Sequence, residues 1–255
     1  MTRWNGDLWF LLQNLILKDF RIRYRNMSLG IFWSLLNPLV MMAVFTFVFS
    51  RIFNQQIHHY PAYLLCGLVP WNFFSGAWIS GTNSLVENAA LIRRVPVPRE
   101  LIPISSVLSN CLHLGIQIVL LLILLLVSGI FPSWLWLWMP LIWGLEIVFL
   151  CGLSLVCAAL NTYLRDTRYL VESAITILFW LVPVFYSFSM IPARFKQIYE
   201  FNPVAALVMA LRNVLLEGHA PAFSLVYKLT VVSIGMFFVG LYIFRRLRSN
   251  LYDYL

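Results

Sequence analysis

Acidic residues are scarce in this chain. Ten Asp and Glu stand against eighteen Lys and Arg among 255 residues, with only four histidines and four cysteines. No loop carries the pair of carboxylates that sugar-bond chemistry uses, which argues against a membrane-embedded glycosyltransferase or ligase. No Ser, His and Asp set points to acyl transfer. Neither a G-x-x-x-x-G-K-[ST] phosphate loop nor a dinucleotide-binding glycine pattern occurs, so no cofactor is expected in this chain. Cys66, Cys111, Cys151 and Cys157 all lie in apolar stretches, without metal spacing or a disulfide framework, and read as small buried hydrophobes. His58, His59, His113 and His219 are scattered, and no metal site is expected. No short apolar core with a small-residue cleavage site opens the chain, so no cleavable signal peptide is expected. No internal repeat is visible.

Apolar length is what the chain has in excess. Hydrophobic residues make up 61% of it and the mean hydropathy is +0.83, far above a soluble domain. Six stretches are long enough to cross a bilayer, which takes about 20 residues of helix. They are Trp33–Phe53, Pro61–Ser84, Leu101–Ile130, Trp134–Leu160, Tyr169–Met190 and Phe223–Phe244. The expected fold is therefore an all-α membrane protein with six transmembrane helices.

The basic residues orient it. With the N-terminus in the cytoplasm, thirteen of the eighteen Lys and Arg fall inside, leaving five, Arg51, Arg194, Lys196, Arg212 and Lys228, outside. The positive-inside rule then places both termini in the cytoplasm. The net charge of +8 sits on short segments beside the membrane. Anionic lipid headgroups and a cytoplasmic protein partner explain it better than nucleic acid does.

Before the first span, Leu8–Met27 reads as an amphipathic helix lying on the cytoplasmic interface. Asn14, Lys18, Arg21 and Arg25 share one face. Trp9, Leu12, Ile16, Phe20 and Met27 share the other, where Asp19 and Arg23 are spaced to pair. This helix is a membrane anchor, a docking surface for a cytoplasmic subunit, or both. Residues 1–30 are thus expected as an interface helix, and residues 31–255 as the six-span domain.

Asn37-Pro38 should bend the entry of the first span. The largest cytoplasmic loop, residues 84–103, should hold a short helix, Ser84–Arg94, stopped by Pro96, Pro98 and Pro103. Its Glu87, Arg93 and Arg94 face whatever acts from inside. Arg165 and Asp166 in the next inner loop are placed to cap or clamp. Trp134, Trp136, Trp138 and Trp143 read as an interfacial belt. Pro183 should break the fifth span early. Two short segments follow, Pro192–Glu200 and Pro203–Glu217, each opening on proline as a helix's first turn allows. Broken helices at membrane depth must be buried in protein or line a path, so the region 190–221 reads as a re-entrant pair on the outer side, a gate.

Two features suggest chemistry. Glu146 lies well inside the fourth span, and an acid there relays protons, bonds a sugar hydroxyl or makes a structural bond. Aromatics gather on the second and fifth spans: Trp71, Phe73, Phe74 and Trp78, then Phe179, Trp180, Phe185 and Tyr186. Sugars pack their C–H faces on such rings, so a sugar-polymer path is expected there, with lipid-facing aromatics as the alternative.

The ordered segments LGIFWSLLNPL, GLVPWNFF, NAALIRRVPVPRELIP, NTYLRD and FWLVPVFYS with IPARFKQIYEFNPV resemble the permease subunits of bacterial type-2 ATP-binding-cassette exporters for polysaccharides, the group handling O-antigen, capsule and teichoic acid. The resemblance covers almost the whole chain and fits the O-antigen branch best. It implies a homodimer in the inner membrane working with two copies of a separate cytoplasmic ATP-binding subunit, which holds the ATP and Mg. The substrate implied is an undecaprenyl-linked polysaccharide threaded through the dimer. Lys18, Arg21, Arg25, Glu87, Arg93 and Arg94 would then couple the ATPase to the membrane. A proton-coupled carrier centred on Glu146, and a type-2 exporter of drugs or lipids, are the alternatives.

Overall fold

The computed structural model describes residues 7–24, 32–53, 57–95, 97–192, 194–196, 199 and 202–248. Every regular element among them is helical. The helices are α1 (Leu8–Tyr24), α2 (Phe32–Thr46, continuing as a π-turn to Ile52), α3 (Tyr60–Glu87), α4 (Ala89–Arg94), α5 (Leu101–Val127), α6 (Met139–Tyr163), α7 (Thr167–Leu181), α8 (Pro203–Arg212) and α9 (Phe223–Leu247). Five helical stretches are long and apolar enough to cross a membrane: Phe32–Ile52, Tyr60–Glu87, Leu101–Val127, Trp134–Tyr163 and Phe223–Leu247.

The bundle is built around α3 and α6, with 72% and 61% of their apolar windows buried, against 11–28% for the other three spans. The outer helices turn one-sided apolar rows away from the protein. Val40, Val44 and Phe47 on α2, Val119, Ile123 and Leu126 on α5, and Tyr227, Val231, Ile234 and Phe238 on α9 are exposed at helical spacing. In hydrocarbon such faces need no partner. Two crossings are set by small residues. A Cβ on Gly240 would lie 2.2 Å from the Gly152 carbonyl oxygen, and one on Gly152 would lie 2.4 Å from the Met236 oxygen. The α6 and α9 backbones therefore touch directly, as small residues permit. At Gly81 of α3 it is the Ser154 side chain of α6 that fills the space a Cβ would take.

Several boundaries differ from the sequence reading. The helix expected over Ser84–Arg94 is interrupted. α3 runs on to Glu87, and Asn88 turns the chain before α4 begins. The Asn88 amide and backbone N–H both donate to the Ser84 carbonyl, the local competition that ends helices at Asn. The second apolar cluster, with Leu85, Ile92, Ile102, Leu155 and Phe244, fastens α4 beneath the ends of α3, α5, α6 and α9.

The fifth stretch, whose apolar run reaches Met190, is helical only to Leu181, 15 residues, or about 22 Å, the early break expected at Pro183. Val182 is extended at φ −80°, ψ 135°, because Pro183 disfavours helical geometry in the residue before it. Trp143, read as part of the interfacial belt, is buried in the core, while Trp134 is 77% exposed. α1 packs along α5 with Leu15 buried and Leu8, Trp9, Phe10, Leu17 and Ile22 exposed. Arg25, Met27 and the Arg23 side chain lie outside the described residues. Asp19 pairs with Lys18 at 2.9 Å. Of the expected helix Pro192–Glu200, residues 194–196 and 199 are described as helical, and Glu200 lies outside the description. α8 is the larger surprise: every residue from Val204 to Arg212 is buried, although the segment is too short to span.

Candidate functional site

The break after α7 leaves a strip of backbone, residues 182–186, with carbonyls that no helix satisfies. Other parts of the chain bond each of its last four carbonyl groups. The Arg212 guanidinium, at the end of α8, donates to Pro183 O and to Val184 O, the latter at 2.6 Å. Tyr60 Oη donates to Phe185 O at 2.8 Å, and Tyr63 Oη donates to Tyr186 O at 2.8 Å. Tyr186 in turn reaches back to cap α7, its hydroxyl 2.9 Å from Leu181 O. Arg212 is 4% exposed, and its guanidinium carbon sits over the Tyr63 ring, 3.5 Å from the centroid. A buried guanidinium is tolerable when its donors meet oxygens and its face meets a ring. Gly67 makes the space, since a Cβ there would stand 2.9 Å from both Arg212 Nη2 and Val184 O. The strip, α3 and α8 are thus one clamped unit.

The strip projects Phe185 and Tyr186 into a continuous aromatic network. Phe185 stacks on Phe45 at 5.6 Å between centroids and meets Phe49, Phe179, Trp180 and Tyr186 between 5.1 and 5.8 Å. Trp71 joins it through Phe179 at 5.4 Å, and Phe74 and Trp78 follow along α3. Seven of the eight aromatics expected along the path are therefore brought together. Phe73 is not among them. It is 1% exposed, as is Phe74, and both belong to the core, as does Phe185. Access is left to Trp180, 60% exposed, and to the half-buried Tyr186, while Trp71 is only 5% exposed. Trp78 spends its indole N–H on Cys157 Sγ.

Two cavities adjoin this network. One of about 270 Å³ lies between α2, α3 and α7, lined by Asn37, Met41, Leu68, Trp71, Asn72, Ile175, Thr176, Phe179 and Trp180. The other, about 550 Å³ and mostly apolar, lies beside the strip against Leu181, Tyr186, Met190, Ile191, Phe195 and Tyr199.

At the opposite end of the bundle the basic residues gather. Lys18 of α1 donates to the Asn88 side chain, tying α1 to the joint ahead of α4. Arg93 and Arg94 are exposed at the end of α4, as are Glu87 and Arg21. Arg99 donates to Arg248 O, and Arg248 pairs with Glu100 at 2.9 Å, closing the end of α9 onto the start of α5. Arg165 and Asp166 stand exposed in the α6–α7 turn. Asp166 takes the N-cap position of α7 without a side-chain capping bond, and the ion pair at that turn is Arg168–Glu172, at 2.9 Å.

Glu146 is 3% exposed, and neither carboxyl oxygen has a hydrogen-bond partner among the described residues. Among the described residues no hydrogen bond or ion pair links it to a group that could pass a proton on. All four cysteines are free thiols.

Sequence reasoning missed the role of Arg212, counting it only among the five cations on the outer side. The signal was present: PVAALVMALR is apolar to its last residue, and a lone Arg ending such a run must find oxygens. It also missed Phe45 and Phe49, whose i,i+4 spacing marks one face of the first span, and the two asparagines of the smaller cavity.

Comparison with known proteins places this architecture. The model of the ABC-2 type transporter family matches residues 11–216. An O-antigen export system permease protein RfbA of Klebsiella pneumoniae is 32% identical over 95% of this chain and 94% of its own length. A protein of the same name from Myxococcus xanthus is 27% identical over 94% of the chain and 93% of its own. The polysialic acid transport protein KpsM of Escherichia coli is 23% identical over 92% of each.

Proposed function

Because this chain belongs to the ABC-2 type transporter family, we propose that it is the membrane permease of an exporter of lipid-linked polysaccharide, of the O-antigen kind, driven by a separate ATP-binding subunit. The chain itself is a transport subunit and not an enzyme. The observation that carries the reading is the aromatic network bordering a cavity between α2, α3 and α7, in a chain whose relatives are named for O-antigen and polysialic acid transport. A polymer slides most easily over ring faces, because each sugar offers a similar apolar face and each contact is worth only about 0.5–1.5 kcal/mol by analogy with aromatic pairs.

The finer parts of the proposal follow. Two copies of the chain enclose the path, and two ATP-binding subunits, with their ATP and Mg, dock on the basic end. That end faces the cytoplasm of a bacterial inner membrane, with both termini on the same side. Lys18, Arg21, Arg25, Glu87, Arg93 and Arg94 carry the coupling, and α4 is its moving part. α7 together with the strip after it serves as the sixth span. The region 190–221 is the outer gate, with α8 its buried arm. The substrate is a polymer on a polyprenyl carrier such as undecaprenol.

The test is reconstitution in vesicles with and without the ATP-binding subunit. ATP-dependent polysaccharide export only when both are present is the expected result. Transport by this chain alone under a proton gradient would replace the reading with a proton-coupled carrier. ATP-driven movement of lipids or drugs, but not polysaccharide, would replace it with the other branch of type-2 exporters.

A further inference from the structure

The smaller cavity holds two polar side chains that the aromatic path does not account for. Asn37, near the Phe32 end of α2, and Asn72, close to the middle of the 28-residue α3, both line it. Neither carboxamide makes a hydrogen bond to another described residue. Each brings two donors and an acceptor to a depth where an unpaired amide is costly. Intramembrane polar groups are kept where they meet water, another protein group or a ligand. The cavity wall beside them is the Trp71 indole and the Phe179 ring. Thr176, across from them on α7, has already given its hydroxyl proton to Glu172 O at 3.0 Å, so it can only accept from a ligand. No Asp, Glu, Lys or Arg lines the cavity.

We infer that Asn37, Asn72 and Trp71 form a subsite for one neutral, hydroxyl-bearing sugar ring. The two carboxamides donate to and accept from adjacent hydroxyls while the indole covers the ring's C–H face. A carboxamide matches a sugar hydroxyl because both groups donate and accept at once. An acyl chain would leave both amides unpaired, and a carboxylate or phosphate would find no cation among the lining residues. The assignment rests on the exporter reading and sharpens it: ring faces let the chain slide, and the asparagines select what slides.

The experiment uses the intact transporter in cells, with surface polysaccharide as the readout. The variants are Asn37→Leu, Asn72→Leu, the double variant, and Asn37→Ser with Asn72→Ser. Each Leu change should slow export by a few fold and the double by about tenfold or more, the scale of one or two lost hydrogen bonds. The Ser pair should recover most of the rate. The purified Leu variants should unfold at the same or a higher temperature, because an unpaired amide has been replaced by a lipid-compatible group. A merely structural role would lower thermal stability along with export. Unchanged export in the double variant, or a fall in export matched by a fall in unfolding temperature, overturns the subsite and leaves the exporter reading standing. If the unaltered chain and its ATP-binding subunit export no polysaccharide, the exporter reading falls and the subsite with it.

Discussion

Arg212 Nη2 donates to Val184 O at 2.6 Å across 28 residues of chain. This bond joins the end of the buried α8 to the strip that continues α7, and Tyr60 and Tyr63 bind the same strip from α3. α3 is unbroken from those tyrosines to Glu87, where Asn88 and α4 begin. A displacement at the basic end therefore has one continuous helix along which to reach the strip.

Arg212→Met should unfasten it. Two buried carbonyl groups would lose their donors, at roughly 1–3 kcal/mol each. The expected result is a lower unfolding temperature and protease cleavage within residues 182–192 of the purified protein. Gly67→Val should reproduce the effect, because its added carbons stand where Nη2 and Val184 O now lie. In the double variant the losses should be far from additive, since both act on one contact. Full additivity would mean that the two positions are independent.

The glycines of α9 divide into one that is needed and one that is not. Gly240→Leu should separate α6 from α9, because even a Cβ would overlap Gly152, and crowding of this sort costs about 1–3 kcal/mol or more. Gly235→Leu meets nothing within 4 Å and should be tolerated. Thermal unfolding in detergent checks both, and equal effects at the two sites would contradict the crossing described.

Arg93 and Arg94 are exposed on a helix held to the bundle by Ile92 and Ala89. Reversing both to Glu should uncouple ATP turnover from export while membrane insertion stays normal. Normal export by the double reversal would remove α4 from the coupling role.

Glu146→Gln should keep export and its pH dependence, because Glu146 has no bonded partner to relay through among the described residues. Loss of export with normal assembly would favour a proton-coupled carrier.

The long spans were legible because uninterrupted apolar length dictates helix in a bilayer. Trp33–Phe53, Pro61–Ser84, Leu101–Ile130, Trp134–Leu160 and Phe223–Phe244 all correspond to observed spans within a few residues. In the fifth stretch hydropathy continues past Pro183, but the proline itself signalled the early end that the helix makes at Leu181. The clamp, by contrast, was hidden. Arg212 is buried only because Pro183 frees carbonyls 29 residues earlier, a pairing that no local pattern records. The aromatic residues were legible as a cluster, but α3 turns two of them, Phe73 and Phe74, wholly into the core, and sequence alone does not say which side of α3 the path lies on.

The passage of a sugar chain beside the α2–α3–α7 cavity is tested most directly by cysteine labelling. Trp180→Cys, at the exposed edge of the network, and Trp134→Cys, exposed in the turn before α6 and outside the network, are treated with a thiol reagent in vesicles holding a polymer arrested in mid-export. The account predicts that the arrested polymer protects position 180 and leaves position 134 unchanged. Equal labelling of position 180 with and without the polymer would contradict it and leave these aromatics facing lipid.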